Sequence, residues 1–167
     1  MTIVVAYASK HGSTEGIARA IADRLSEVGQ PAEASSVDQV GGLNDARAVI
    51  LGSAIYAGSW MREAVDFVHE NAGALAERPV WLFSSGPLGE QVQDDEEQPR
   101  QLEEISGLIR PLGHRVFFGA LDRATLGFAE RMIVKAVKAP DGDFRDWDEI
   151  RSWADSISAE LRSIDEV

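Results

Sequence analysis

Ile3-Val4-Val5-Ala6-Tyr7-Ala8-Ser9-Lys10-His11-Gly12-Ser13-Thr14 stands at the head of the chain and runs straight into Ile17, Ile21, Leu25 and Val28, an apolar set of helical period. Ile3 to Tyr7 is a short apolar run closed by turn residues, as expected of a strand buried on both faces. The loop Ser9 to Thr14 therefore joins a buried strand to a helix N-terminus. Such a junction suits an anion. The first helical turn offers amides with no intrahelical acceptor and the positive end of the dipole. Gly12 lets the backbone approach closely, the hydroxyls of Ser9, Ser13 and Thr14 add donors, and Lys10 and His11 share the loop. A hydroxyl-rich N-cap with no ligand has the same composition. Spacing and strand order decide between the two.

Working outward, Ala48 to Gly52, Val80 to Ser84 and Val116 to Ala120 are further buried-strand runs, and Ala32 to Val37 is more polar, as an edge strand should be. Between them Met61, Ala64, Val65 and Val68, then Leu102, Ile105, Leu108, Ile109 and Leu112, recur at helical spacing. Two more helical patterns cover Leu126 to Val137 and Trp147 to Ile164, the second opened by Asp146 and Glu149 at capping-box spacing. Strand and helix alternate. The expected class is α/β, a doubly wound five-stranded parallel sheet of order 2-1-3-4-5 with helices on both faces. Ligands then gather at the carboxyl ends of strands one, three and four. With 167 residues the chain reads as a single domain, 1–167.

Composition removes several functions. Sixteen basic against 28 acidic residues give a net charge of −12, which repels nucleic acid and anionic lipid. No cysteine is present, so disulfides, thiolate metal sites and a cysteine nucleophile are excluded. His11, His69 and His114 are too scattered to predict a metal site, and Ser84 and Ser85 lack a nucleophile elbow. The start of the chain has no basic leader and no apolar run reaches membrane-spanning length, which predicts a cytoplasmic protein. The run Asp94 to Glu97 reads as a solvated loop leading into a helix. Neither G-x-x-x-x-G-K-[ST] nor G-x-G-x-x-G occurs, so nucleoside triphosphates and dinucleotides are unsupported. A receiver domain of the same strand order needs acidic residues where Ala8-Ser9 and Gly52-Ser53 stand.

Tyr7, Ser9, Gly12, Thr14, Ala18 and Ile21 match the phosphate-loop signature of the flavodoxin-like family, which the segment resembles. The resemblance implies one FMN, its phosphate held by Ser9, Lys10, His11, Gly12, Ser13 and Thr14. FMN is expected over FAD, because no second nucleotide-binding motif exists for an adenylate. In that family the loop after strand three, here Gly52 to Trp60, flanks the flavin ring, which makes Ala54, Ile55, Tyr56, Ala57, Gly58 and Trp60 candidates. A large flat ring needs apolar and aromatic surface against it, with backbone groups near its polar edge. Tyr56 and Trp60 are the aromatic candidates, and Gly58 supplies a peptide free to reorient. The loop after strand four adds Ser84, Ser85, Gly86, Pro87 and Gly89, whose amides suit the pyrimidine edge.

Over most of its length the chain most resembles the flavodoxin-like, quinone-dependent protoporphyrinogen dehydrogenases of bacterial haem synthesis. The phosphate loop, Val49 to Gly58, Phe118-Gly119-Ala120-Leu121, Glu130-Arg131-Met132-Ile133-Val134-Lys135 and Asp146-Trp147 carry this resemblance. It implies oxidation of a porphyrinogen by FMN, with a quinone as electron acceptor and at most peripheral contact with the inner face of a membrane. The chemistry would belong to the cofactor, so no catalytic side chain is named. Arg123, Arg131, Lys135 and Lys138 form a small basic group that reads first as a solvated helix face and second as a surface for a membrane or a propionate. The acidic end Ser163 to Val167 keeps the alternative open, an electron carrier docking to a redox protein.

Overall fold

A computed structural model describes residues 1–56, 58–86, 99–121, 142–143 and 145–167. Ala57, Pro87, Gly89, the acidic run Asp94 to Glu97, the basic group and the pattern from Leu126 to Val137 lie outside them. The elements are β1 (Thr2–Ala8), α1 (Ser13–Glu27), β2 (Ala32–Ser36), β3 (Ala46–Tyr56), β4 (Ser59–Trp60), α2 (Arg62–Glu70) and α3 (Ala72–Ala76). There follow β5 (Val80–Ser85), α4 (Leu102–Ile109), β6 (Gly113–Phe117), β7 (Ala120–Leu121), β8 (Gly142–Asp143) and α5 (Trp147–Asp165).

The main sheet is parallel in the order β2-β1-β3-β5-β6, the expected doubly wound order, with the short β4 added antiparallel to β3. Strand alternation divides the core in two. Ile3, Val5, Tyr7, Ile50, Trp81 and Phe83 face α1 and α5, where Ile17, Ile21, Leu25, Ile150, Trp153, Ile157 and Leu161 complete one layer. Ala6, Ala8, Val49, Leu51 and Leu82 face the other way, onto Phe67, Val68, Leu75, Ile105 and Ile109. Each fully buried large side chain stabilises by about 1.5–3 kcal/mol. Phe83 lies flat over β3, and a Cβ on Gly52 would fall 2.0 Å from its ring.

α1 and α5 lie side by side and run parallel. Arg24 pairs with Asp155 at 2.7 Å, Arg151 with Glu27 at 3.3 Å, and Arg162 donates to the Val28 carbonyl at 2.7 Å. Asp146 caps α5 as expected, its side chain accepting the Glu149 amide at 3.1 Å.

Three boundaries differ from expectation. The last sheet strand is Gly113–Phe117, not Val116 to Ala120, because register with β5 pairs Trp81 with Gly113 and Ser85 with Phe117. An edge strand tolerates His114 and Arg115, so its apolar residues do not mark its ends. The helix expected to reach Leu112 stops at Ile109, where Arg110 turns left-handed at φ 49°. Gly52 to Trp60 is not an open loop: β3 continues to Tyr56 and folds back as a hairpin, pairing Tyr56 with Ser59 and Ile55 with Trp60.

Candidate phosphate and flavin site

β1 delivers the chain to its carboxyl end at Ala8, and Ser9 Oγ accepts the Gly12 amide at 3.1 Å to close the loop. Gly12, at φ 87°, caps α1 in the left-handed region that glycine favours. The first intrahelical bond runs from the Gly16 amide to the Gly12 carbonyl at 3.0 Å, so the Ser13, Thr14 and Glu15 amides precede it. α1 has no side-chain cap. Thr14 is fully buried, and its Oγ1 has no hydrogen-bond partner among the described residues. Leaving such a hydroxyl unsatisfied costs about 1–3 kcal/mol. A hydroxyl and a fan of amides at the positive end of a helix are the donor set of an oxyanion site.

Ser13 is placed differently from expectation. Its Oγ accepts the Ala120 amide at 2.9 Å and lies 3.5 Å from Ser85 Oγ, so it ties α1 to the end of β5 and to β7. Gly119 packs against the same pair: a Cβ there would meet Ser13 Oγ and Ser85 Oγ, each at 3.3 Å. Lys10 is exposed and His11 half-buried.

The hairpin forms the second wall. Tyr56 is 43 % exposed at its tip, with Gly58 at φ 77°. The hairpin is anchored from behind: Arg100 donates its amide to the Gly58 carbonyl at 3.1 Å, and the Trp60 and Met61 amides donate to Gln101 Oε1 at 3.1 Å and Ser53 Oγ at 2.9 Å. Trp60 is 3 % exposed, and its indole N–H donates to Ser84 Oγ at 2.7 Å. This corrects the expectation that Trp60 offers a ring face to a ligand, since its faces are packed in the layer with Phe67 and Leu51.

Ser84 and Ser85 point to opposite faces, as neighbours in a strand must. Ser85 joins Ser13. Ser84 is buried between Trp60 and His114, whose Nε2 is 2.7 Å from its Oγ, so its side chain is occupied within the protein. Burial pushes the His114 pKa down to about 4, so the imidazole is neutral, and its Nε2 and the Ser84 hydroxyl share one hydrogen bond. Gly86 allows β5 to end against β3: a Cβ there would fall 2.9 Å from Ile55 Cβ. Ala54 and Ile55 are half-buried on this part of β3.

Residues 4–148 match the model of the flavodoxin domain. The chain belongs to that family. FMN is its cofactor, and flavin-linked redox chemistry is its province. A flavodoxin from the domain Archaea superposes with a TM-score of 0.67 at 16 % identity, covering 97 % of this chain and 99 % of that one. The flavodoxin of Streptococcus pneumoniae TIGR4 gives 0.63 at 17 %, over 98 % and 99 %. Rubredoxin oxygen:oxidoreductase from Desulfovibrio gigas gives 0.62 at 16 %, over 97 % of this chain but 36 % of that one. No curated protein matches in sequence. Among the described residues no helix is long and apolar enough to cross a membrane, and no cluster of acidic, His or Cys residues suits a metal ion.

The head of α1 also has neighbours from the far end of the chain that were not singled out as site candidates from sequence. Arg145 and Trp147 reach the first turn of α1, where a Cβ on Gly16 would fall 2.5 Å from Arg145 Nη1 and 3.7 Å from the Trp147 ring. A glycine inside an amphipathic helix costs about 1 kcal/mol relative to alanine, and that unexplained cost was the available signal. Asp143 accepts from Arg145 Nε at 2.9 Å and Nη2 at 2.7 Å, which holds its carboxyl below the usual range.

Proposed function

We propose that this chain is a one-domain FMN-dependent oxidoreductase that oxidises protoporphyrinogen IX and passes the electrons to a quinone, in the cytoplasm and at most peripherally at the membrane. The observation that carries the flavin site is the buried, unpartnered Thr14 hydroxyl at the N-terminus of α1. In this reading Thr14 Oγ1 and the amides of the Ser9–Thr14 loop hold the FMN phosphate, aided by Lys10 and His11. The ring lies between the hairpin, with Tyr56 against it and Gly58 at its edge, and the end of β5 at Ser85 and Gly86. FMN, when bound, supplies the redox chemistry by accepting two electrons with protons from the substrate. The protein's part is to fix the ring against a wall that does not yield, to keep water from its covered face, and to offer backbone groups to its polar edge.

The substrate proposal rests on the resemblance, and two of its stretches border this site. Ala120 donates its amide to Ser13 Oγ, and Trp147 packs at Gly16. The net charge of −12 favours the second reading, an electron carrier steered to a basic face on a redox protein. Anaerobic assay with protoporphyrinogen and a soluble quinone analogue separates them. The FMN-loaded enzyme is expected to generate porphyrin fluorescence faster than free FMN. Fluorescence no faster than with free FMN, together with salt-sensitive reduction of the flavin by a reductase, would replace the dehydrogenase with the carrier.

A further inference from the structure

Arg145 occupies an electrostatically costly position. Its guanidinium rests on the first turn of α1, with Nη1 3.4 Å from the Ser13 carbonyl, and its Cζ stands 4.6 Å from the centroid of the Trp147 ring at the start of α5. The side chain is 17 % exposed. Because α1 and α5 run parallel, the positive ends of both dipoles meet this cation, an arrangement that destabilises helices. The cost is repeated at Gly16. Any side chain there would displace the guanidinium, and the glycine that leaves room for it weakens α1 further. Asp143 balances part of the charge through Nε and Nη2, and the Arg145 amide donates to the same carboxylate at 3.0 Å. Two sacrifices of helix stability in one place are offset if an anion joins the same helix end. The unpartnered Thr14 hydroxyl marks that end as a ligand site independently.

We infer that Arg145 is a counter-charge of the FMN phosphate, in addition to Lys10 of the loop, and strengthens the preference of the site for FMN over riboflavin, the same flavin without the phosphate. Asp143 competes with the ligand for this cation. The inference rests on the FMN site proposed above and adds to it a residue from the far end of the chain. A guanidinium that merely pins β8 to α1 would act on both flavins alike, whereas a counter-charge acts on the phosphate alone.

The experiment measures FMN and riboflavin affinity by fluorescence titration for the full chain, Arg145→Gln, Arg145→Lys and Asp143→Asn, at low and high salt. Arg145→Gln should weaken FMN about tenfold at low salt and less at high salt, with riboflavin unchanged. Arg145→Lys should restore part of the loss. Asp143→Asn keeps the shape and the amide acceptor but releases the cation, and should tighten FMN several-fold without affecting riboflavin. Equal losses for both flavins in Arg145→Gln, or a weaker FMN complex in Asp143→Asn, overturn the inference. If Arg145→Gln does not fold, the Asp143→Asn arm decides. A wild-type chain that binds riboflavin as tightly as FMN overturns the inference and leaves the flavin site standing. One that binds neither overturns the proposed site, and the role of Arg145 with it.

Discussion

The two walls of the site are built on opposite plans. At the hairpin, polar groups are paired within the protein: the Gly58 carbonyl, the Trp60 and Met61 amides and the Trp60 indole all have partners on β3, on β5 or just ahead of α4. At the phosphate loop the Ser9 side chain closes the turn on the Gly12 amide, while Thr14 keeps a buried hydroxyl with no partner among the described residues. The first wall is finished without a ligand. The second is preorganised but incomplete, and its missing partner is something that accepts hydrogen bonds. Substitutions in the hairpin should therefore be felt as stability, and substitutions in the loop as affinity.

Breaking the hairpin gives the largest effect. Trp60→Ala should destabilise the apoprotein by about 3–5 kcal/mol in urea unfolding, through lost burial and the cavity left behind. A loss under 1 kcal/mol would mean that the tryptophan is not the anchor described. Next comes the pH dependence of the same wall. The folded pKa of His114 is about 4 against an ordinary 6.5, so the unfolded chain binds more protons between those values. The stabilisation is whole above pH 6.5 and is lost as pH falls toward 4, by about 2–3 kcal/mol. His114→Gln should flatten that stretch of the stability profile; an unchanged slope would assign it to carboxylates. The smallest stability effect belongs to the loop. Thr14→Val, nearly isosteric, should leave the apoprotein as stable or slightly more so, yet weaken FMN by about 1.5–3 kcal/mol in fluorescence titration. Equal FMN affinity would remove Thr14 from the site and end the contrast.

The phosphate loop was legible because its signal is local: an apolar run, a glycine, hydroxyls and a helical period lie within about twenty residues of each other. Strand order followed from the same kind of reading, since polar Ala32 to Val37 suits an edge. The hairpin was hidden by its composition. Gly52 to Trp60 is rich in small residues and looks like a loop, and only the pairing of Ile55 with Trp60 reveals the turn-back. Trp60 was read as ligand-facing because a list of loop residues does not say which face each takes. Register turns Ser85 toward Ser13 and Ser84 toward His114. Arg145 was invisible, being 129 residues from Gly16 in sequence and beside it in space.

The parallel packing of α5 on α1 has a consequence for synthesis. Half of the layer over one sheet face is contributed by Ile150, Trp153, Ile157 and Leu161, which leave the ribosome after every strand of the main sheet has been made. Until then the part of that face beneath α5, where Trp153 meets Phe83 and Phe117, has no cover. The nascent chain therefore carries its stickiest surface longest, and the phosphate loop at the head of α1 is steadied only when the last helix arrives. Premature termination between β6 and α5 would release a sheet in the right strand order with part of one side bare, a natural substrate for chaperones and proteases.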